Sequence, residues 1–170
     1  MRAYPLESVS LRGAMEKQFA LVDIITKHFS GSEFLSTGDL GLNTAVHKPV
    51  CTETAEKVLA EFFHAEACML TRGAGTQAIR WGLMSALHPS DCILVHNAPM
   101  YPTTEVSIAS MGLRVVRADF NDDESIVRAL RENDIALCLV QHTRQTLDDA
   151  YDLQHVIDLI KNAKQKTVVL

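Results

Sequence analysis

Leu70-Thr71-Arg72-Gly73-Ala74-Gly75-Thr76-Gln77-Ala78 has the residue types to cradle an anion. It reads as an apolar run entering a glycine turn, with a helix opening at Gly75 and Thr76. The first N–H groups of a helix lack intrahelical partners, and the aligned peptide dipoles place partial positive charge there. Glycine lets the backbone turn sharply and approach a ligand closely, and the Thr76 hydroxyl adds a further donor. Strand-to-helix turns also carry glycines for geometry alone, so the turn acquires chemical meaning only from what surrounds it.

Two other segments carry chemistry-bearing side chains. One is His96-Asn97-Ala98-Pro99-Met100-Tyr101-Pro102-Thr103-Thr104, and the other is Gln141-His142-Thr143-Arg144-Gln145. An anion cradle, an aromatic ring and an imidazole/guanidinium group suit a flat, phosphorylated aromatic ligand. Each has a plainer reading: Tyr101 as turn packing before Pro102, His142 as a structural histidine, Arg144 as a surface charge.

The elements that would position these residues follow from hydrophobic spacing. Leu11, Met15, Phe19, Val22, Ile25 and Phe29 recur three or four apart and predict a helix over 8–29. Thr52 or Thr54 can cap a second helix carrying Ala55, Val58, Leu59 and Phe62 on one face. From Ala67 onward, short apolar runs alternate with amphipathic segments. The runs are 67–71, 92–96, 113–118, 135–140 and 167–170; the amphipathic segments are 76–87, 103–111, 123–132 and 153–164. Strands that are apolar throughout and linked by helices predict an α/β fold, a mostly parallel sheet with helices on both faces. Residues 1–65 read as a helical N-terminal arm and entry segment, and 66–170 as the first part of a larger α/β domain. Ligands of such sheets bind beyond the carboxyl ends of the strands, where all three segments fall.

Composition narrows the function classes. A net charge of −5 over 170 residues gives no electrostatic reason to expect nucleic acid or an anionic membrane. No apolar run reaches the ~20 residues needed to span a bilayer, and the first residues lack the apolar core of a signal peptide. The four cysteines form no CxxC pair or zinc spacing, so no metal site and a reduced, cytoplasmic setting are expected. Gly73-Ala74-Gly75-Thr76-Gln77-Ala78 also fits the G-x-G-x-x-A dinucleotide pattern. That pattern wants an acid ending the next strand, where this chain has Val95-His96-Asn97, and Asp91 falls at the opposite strand end. An NAD(P)-binding oxidoreductase domain and a non-catalytic phosphate- or partner-binding α/β module remain as alternatives.

These segments resemble the fold-type I pyridoxal-phosphate enzymes, the aminotransferases and the lyases of cysteine and methionine metabolism. Ala74-Gly75-Thr76 is similar to their Ser-Gly-Thr phosphate turn, with alanine in the serine place. Met100-Tyr101-Pro102-Thr103-Thr104 resembles the loop whose tyrosine covers the cofactor ring, and Val140 to Gln145 the strand end lining that ring. The resemblance implies pyridoxal 5'-phosphate as cofactor, an amino-acid substrate and a homodimer. It implies phosphate binding by Ala74, Gly75 and Thr76, ring stacking by Tyr101, and polar ring contacts from His142, Arg144 or Gln145. Gly38, Asp39 and Leu40 would approach the substrate. Such enzymes carry an aspartate for the ring nitrogen on the strand that Lys166–Leu170 begins, and a Schiff-base lysine further on. Both are expected beyond residue 170, so no catalytic residue is assigned in this chain, and 1–170 alone is expected to be inactive.

Overall fold

A computed structural model describes residues 10–29, 42–43, 45, 48–141 and 151–170. The chain divides into two compact units, Arg2–Thr71 and Arg72–Leu170.

In the first unit, α1 (Leu11–His28) starts under Ser10, whose Oγ accepts the Gly13 N–H at 3.0 Å. Lys27 and His28 lie in its last turn, where the dipole favours cations. Both reach Glu61, with Lys27 Nζ at 2.7 Å and His28 Nε2 at 2.7 Å from its carboxylate oxygens. Glu61 belongs to α2 (Val50–Phe62), so these contacts tie the two helices together. The short strands β1 (Leu42–Asn43) and β2 (Lys48–Pro49) pair antiparallel ahead of α2. The helix begins directly after Pro49 with no side-chain cap, so neither Thr52 nor Thr54 fills the role the sequence suggested. Thr54 Oγ1 instead donates back to the Val50 carbonyl at 2.9 Å.

The run 67–71, expected as a strand, joins no ladder among the described residues. A strand exists only by pairing, and an apolar run does not reveal whether a partner lies beside it. Met69 and Leu70 are exposed, and the segment is anchored by the Leu70 N–H, which donates to the buried Glu56 carboxylate at 2.8 Å.

The second unit is an α/β layer. It comprises α3 (Ala74–Ala86), β3 (Cys92–His96), α4 (Pro102–Ser110), β4 (Arg114–Ala118), α5 (Asp123–Glu132), β5 (Ile135–Leu139), α6 (Leu153–Ala163) and β6 (Val168–Val169). Its strands lie in the order β4-β3-β5-β6, and every pair is parallel. Side chains alternate across the sheet, so β3 feeds two cores. Cys92 and Leu94 pack with Ile126 and Leu130 of α5 and Val156 and Ile160 of α6. Ile93 and Val95 pack on the other face with Leu83 of α3 and Ile108 of α4.

One bulge adjusts this alternation. Cys92 pairs with Ile135 but Ile93 pairs with Leu137, leaving Ala136 as an extra residue on β5. Ala136 and Leu137 consequently both face the α3/α4 layer, while Ile135 and Cys138 face α5 and α6. Burial pushes the Cys138 thiol up to about 12, so this cysteine is inert packing.

The connections set the position of the site. From β3 the chain passes through α4 on one face to β4, then through α5 on the other face back across β3 to β5. From β5 it continues through α6 to β6. The crossovers after β3 and β5 therefore leave in opposite directions. The crevice beyond the carboxyl ends of that strand pair is where an open α/β sheet places its ligand.

Candidate functional site

Two helices open onto this sheet edge without a side-chain cap. α3 starts at Gly73 and α4 at Tyr101, and in neither case does the N-cap side chain accept a hydrogen bond. Pro102 occupies the first position of α4, where a missing N–H costs nothing. The two starts meet: Thr76 Oγ1 and Thr103 Oγ1 lie 3.3 Å apart. One turn deeper, Arg80 Nε donates to Ser107 Oγ at 3.4 Å, which ties the same helices again.

The α3 turn has a distinctive backbone. Gly73 sits at φ −96°, ψ 25°, and Ala74 follows at φ 51°. A right-handed residue followed by a left-handed one points successive N–H groups toward one concavity, the arrangement of an anion nest. For alanine this conformation costs roughly 1–2 kcal/mol. Gly73 must remain small, because a Cβ there would lie 2.5 Å from the Cβ of Gln77. At Gly75 a Cβ would meet nothing within 4 Å, so the backbone faces open space. The first turn of α3 contains no acid. Glu105, in the first turn of α4, has its carboxylate 3.9 Å from the Arg117 guanidinium. The donor set of amides and two hydroxyls, with no carboxylate in the α3 turn, fits a phosphate.

Tyr101 is half-exposed at the start of α4, and its carbonyl accepts from the N–H groups of Thr104 and Glu105 at 2.9 and 3.2 Å. The structure thus brings Thr76, Gly75 and Ala74 to the same sheet edge as Tyr101, through the contact between Thr76 and Thr103. His142, Arg144 and Gln145, and likewise Gly38, Asp39 and Leu40, lie outside the described residues.

Beneath the edge lie His96, from a segment the sequence singled out, and Phe120, Tyr151 and Arg117, which it did not. His96, at the end of β3, is buried, and its Nδ1 accepts the Phe120 N–H at 2.9 Å. Its ring packs against Phe120 and Tyr151, with centroids 5.1 and 5.2 Å away. The Tyr151 hydroxyl accepts from the Gln141 N–H at 2.8 Å and donates to the Gln141 carbonyl at 3.2 Å. That clamp fixes the backbone where the chain leaves β5. Arg117 extends the scaffold by donating to the carbonyls of His96 and Ala98, both at 3.3 Å. A tyrosine ten residues beyond Gln141 carries no sequence signal for such a role; only the pairing of β3, β4 and β5 brings it to His96.

Against known structures, the architecture matches pyridoxal-phosphate-dependent, transferase-like folds. Apo CalE6, a methionine gamma lyase from Micromonospora echinospora, aligns with a TM-score of 0.56 at 26% identity, over 69% of this chain and 31% of that one. Cystathionine gamma synthase from Xanthomonas oryzae pv. oryzae shares the fold at 19% identity, with a TM-score of 0.60 over 78% of this chain and 36% of that one. No family model matches the chain.

One relative is far more similar in sequence. The uncharacterized protein YhfS of Escherichia coli (strain K12) is 48% identical over 163 residues, 96% of this chain and 45% of that protein. The crystal structure of the pyridoxal-5'-phosphate-dependent YhfS from Escherichia coli superposes with a TM-score of 0.86 at 47% identity, over 92% of this chain and 43% of that one. The chain is a YhfS homologue with structural neighbours in the fold-type I pyridoxal-phosphate family, and it corresponds to the N-terminal part. It spans a little under half the length of that relative, 45%. No helix among the described residues is long and apolar enough to cross a membrane.

Proposed function

We propose that residues 1–170 supply the phosphate-binding and ring-covering part of a pyridoxal-phosphate-dependent protein that acts on an amino acid, in a transamination or a carbon–sulfur lyase reaction. The observation that carries this reading is the meeting of the two uncapped helix starts at Thr76 and Thr103, 3.3 Å apart beside the nest-like turn at Ala74. When bound, the cofactor supplies an electron sink for bonds broken at the substrate α-carbon. Gly75 and Thr76 hold its phosphate through backbone N–H groups and the Thr76 hydroxyl, aided by the positive end of the α3 dipole. Tyr101, half-exposed at the start of α4, would cover the ring. By the resemblance, His142, Arg144 or Gln145 would contact the ring's polar edge, and Gly38, Asp39 and Leu40 would approach the substrate. The protein works as a cytoplasmic homodimer.

The dinucleotide alternative loses support at His96. The position where a ribose-binding acid would end β3 holds a buried imidazole engaged with the Phe120 amide.

Pyridoxamine 5'-phosphate, which lacks the aldehyde that modifies surface lysines, tests the reading. Trp81, the single tryptophan, sits on α3 between one and two turns from Thr76 and reports occupancy by fluorescence quenching. Thr76→Ala removes a hydrogen bond to a charged group, worth about 1.5–3 kcal/mol. A titration shifted at least about tenfold supports the phosphate role. Superimposable wild-type and Thr76→Ala curves contradict it.

A further inference from the structure

The segment that carries Tyr101 from β3 to α4 is anchored differently at its two ends. Pro99 and Pro102 hold the residues before them, Ala98 and Tyr101, to extended backbone, which narrows the segment's shape without fixing its place. At the far end Met100 supplies the anchor, its side chain buried with Leu83 and Ile108. At the near end Asn97 is exposed and Ala98 only partly buried, so burial fixes neither.

β4 supplies the missing anchor. The Asn97 N–H donates to the Ala118 carbonyl at 2.9 Å. Arg117 lies opposite Val95 in the parallel register, and Val95 belongs to the core under α3 and α4. Residues opposite each other share a face, so Arg117 emerges on the face over which the chain enters α4. Its Nη1 donates to the carbonyls of His96 and Ala98, both at 3.3 Å, and its Nη2 lies 3.9 Å from the Glu105 carboxylate. One side chain thus holds the backbone three residues before Tyr101 and the helix turn that follows it.

We infer that Arg117 is the positioning residue of Tyr101, setting the place from which that ring covers the ligand and acting through the ring rather than on the phosphate. The inference rests on the ring-covering role proposed for Tyr101, but its first test needs no ligand.

Arg117→Met in the full chain keeps an apolar stem and removes the guanidinium. The side chain is 43% exposed, so the fold is expected to persist, which the urea midpoint checks. By NMR relaxation, the amides of Asn97, Ala98, Met100 and Tyr101 are expected to fall from rigid order parameters of about 0.85 toward 0.6, while Thr76 and Trp81 of α3 hold theirs. Unchanged order at those four amides overturns the inference.

The second test compares pyridoxamine 5'-phosphate, which carries ring and anion, with inorganic phosphate, which carries the anion alone. Arg117→Met is expected to weaken the first at least about threefold, a modest loss for charged bonds open to solvent, and to leave the second within about twofold. Arg117→Lys, which keeps the charge on a shorter reach, is expected to fall between wild type and Arg117→Met. In a Tyr101→Ala background Arg117→Met is expected to cost nothing further, because the two act as one unit. Equal losses for both probes, or a loss that persists without Tyr101, overturn the inference, because Arg117 would then act by its charge. Superimposable wild-type and Arg117→Met titrations, with Thr76→Ala still shifted, overturn the inference alone. A wild type that binds no pyridoxamine phosphate overturns the reading on which it rests.

Discussion

The helices on the two faces of the sheet begin in contrasting ways. On one face, α5 and α6 start beneath carboxylates: Asp122 accepts the Glu124 N–H at 3.1 Å, and Asp152 accepts the His155 N–H at 3.1 Å. On the other, α3 and α4 start at Gly73 and Tyr101 with no side-chain cap, and their first turns meet through Thr76 and Thr103. A capping carboxylate satisfies first-turn amides and neutralises the dipole end, which stabilises the helix and closes it to anions. Leaving α3 and α4 without such caps forgoes a few tenths of a kcal/mol at Gly73, since glycine is itself a tolerated N-cap, and about 1 kcal/mol at Tyr101. The α5/α6 helices thus start with the stabilising caps that the α3/α4 helices lack.

Placing an acid in the α3 start should erase that contrast most strongly. Gly75→Asp has open space for its side chain and adds negative charge in the first turn. It should stabilise the protein by about 0.3–1 kcal/mol in urea unfolding. The same carboxylate should weaken pyridoxamine phosphate binding at least about tenfold by repulsion at close range. Stability and affinity moving together would contradict the account.

Removing a cap from the other face should do the reverse. Asp152→Ala should cost about 1 kcal/mol of stability, read from the urea midpoint, with ligand affinity within about twofold of the wild type. A comparable loss of affinity would mean that the two faces are not separable in this way.

The smallest effect concerns pH. His155 of α6 is raised above its ordinary value of 6.5 by its hydrogen bond to Asp123 of α5, at 2.9 Å, and by that carboxylate's charge. A folded-state value above the unfolded one stabilises the protein fully below the unfolded value. The contribution disappears as pH rises through the folded value. His155→Gln should therefore lower the urea midpoint slightly at about pH 5.5 and leave it unchanged at about pH 8.5. Equal shifts at both pH values would remove the ion pair from the account.

What the sequence made legible tracks how local each determinant is. β3 at Cys92–His96 and α5 at Asp123–Glu132 fall where their apolar runs and the Asp122 cap place them, because burial on both faces and capping are written within the element itself. At the end of α6, Lys161 Nζ donates to the Thr167 carbonyl at 2.6 Å and Lys164 Nζ to Asp134 at 2.8 Å, partners outside the helix that no local pattern names. The 67–71 run failed as a strand because pairing is a non-local property. The start of α2 was misplaced because Pro49 sets the boundary with its fixed φ, without any capping side chain. Gly75, Thr76 and Tyr101 were legible as helix-start residues from turn chemistry and strand ends. The contact of Thr103 with Thr76, and the clamp of Tyr151 on Gln141 over the His96 ring, depend on which strands become neighbours. No spacing rule encodes that.

The contrast between the two faces is tested most directly by amide NMR shifts during titration with inorganic phosphate. The account predicts that the largest perturbations cluster at Gly75, Thr76 and Thr103 and saturate with a single affinity, while the amides of Glu124 and His155 under their carboxylate caps stay still. Shifts centred on the starts of α5 and α6, or spread evenly over the surface, would contradict it.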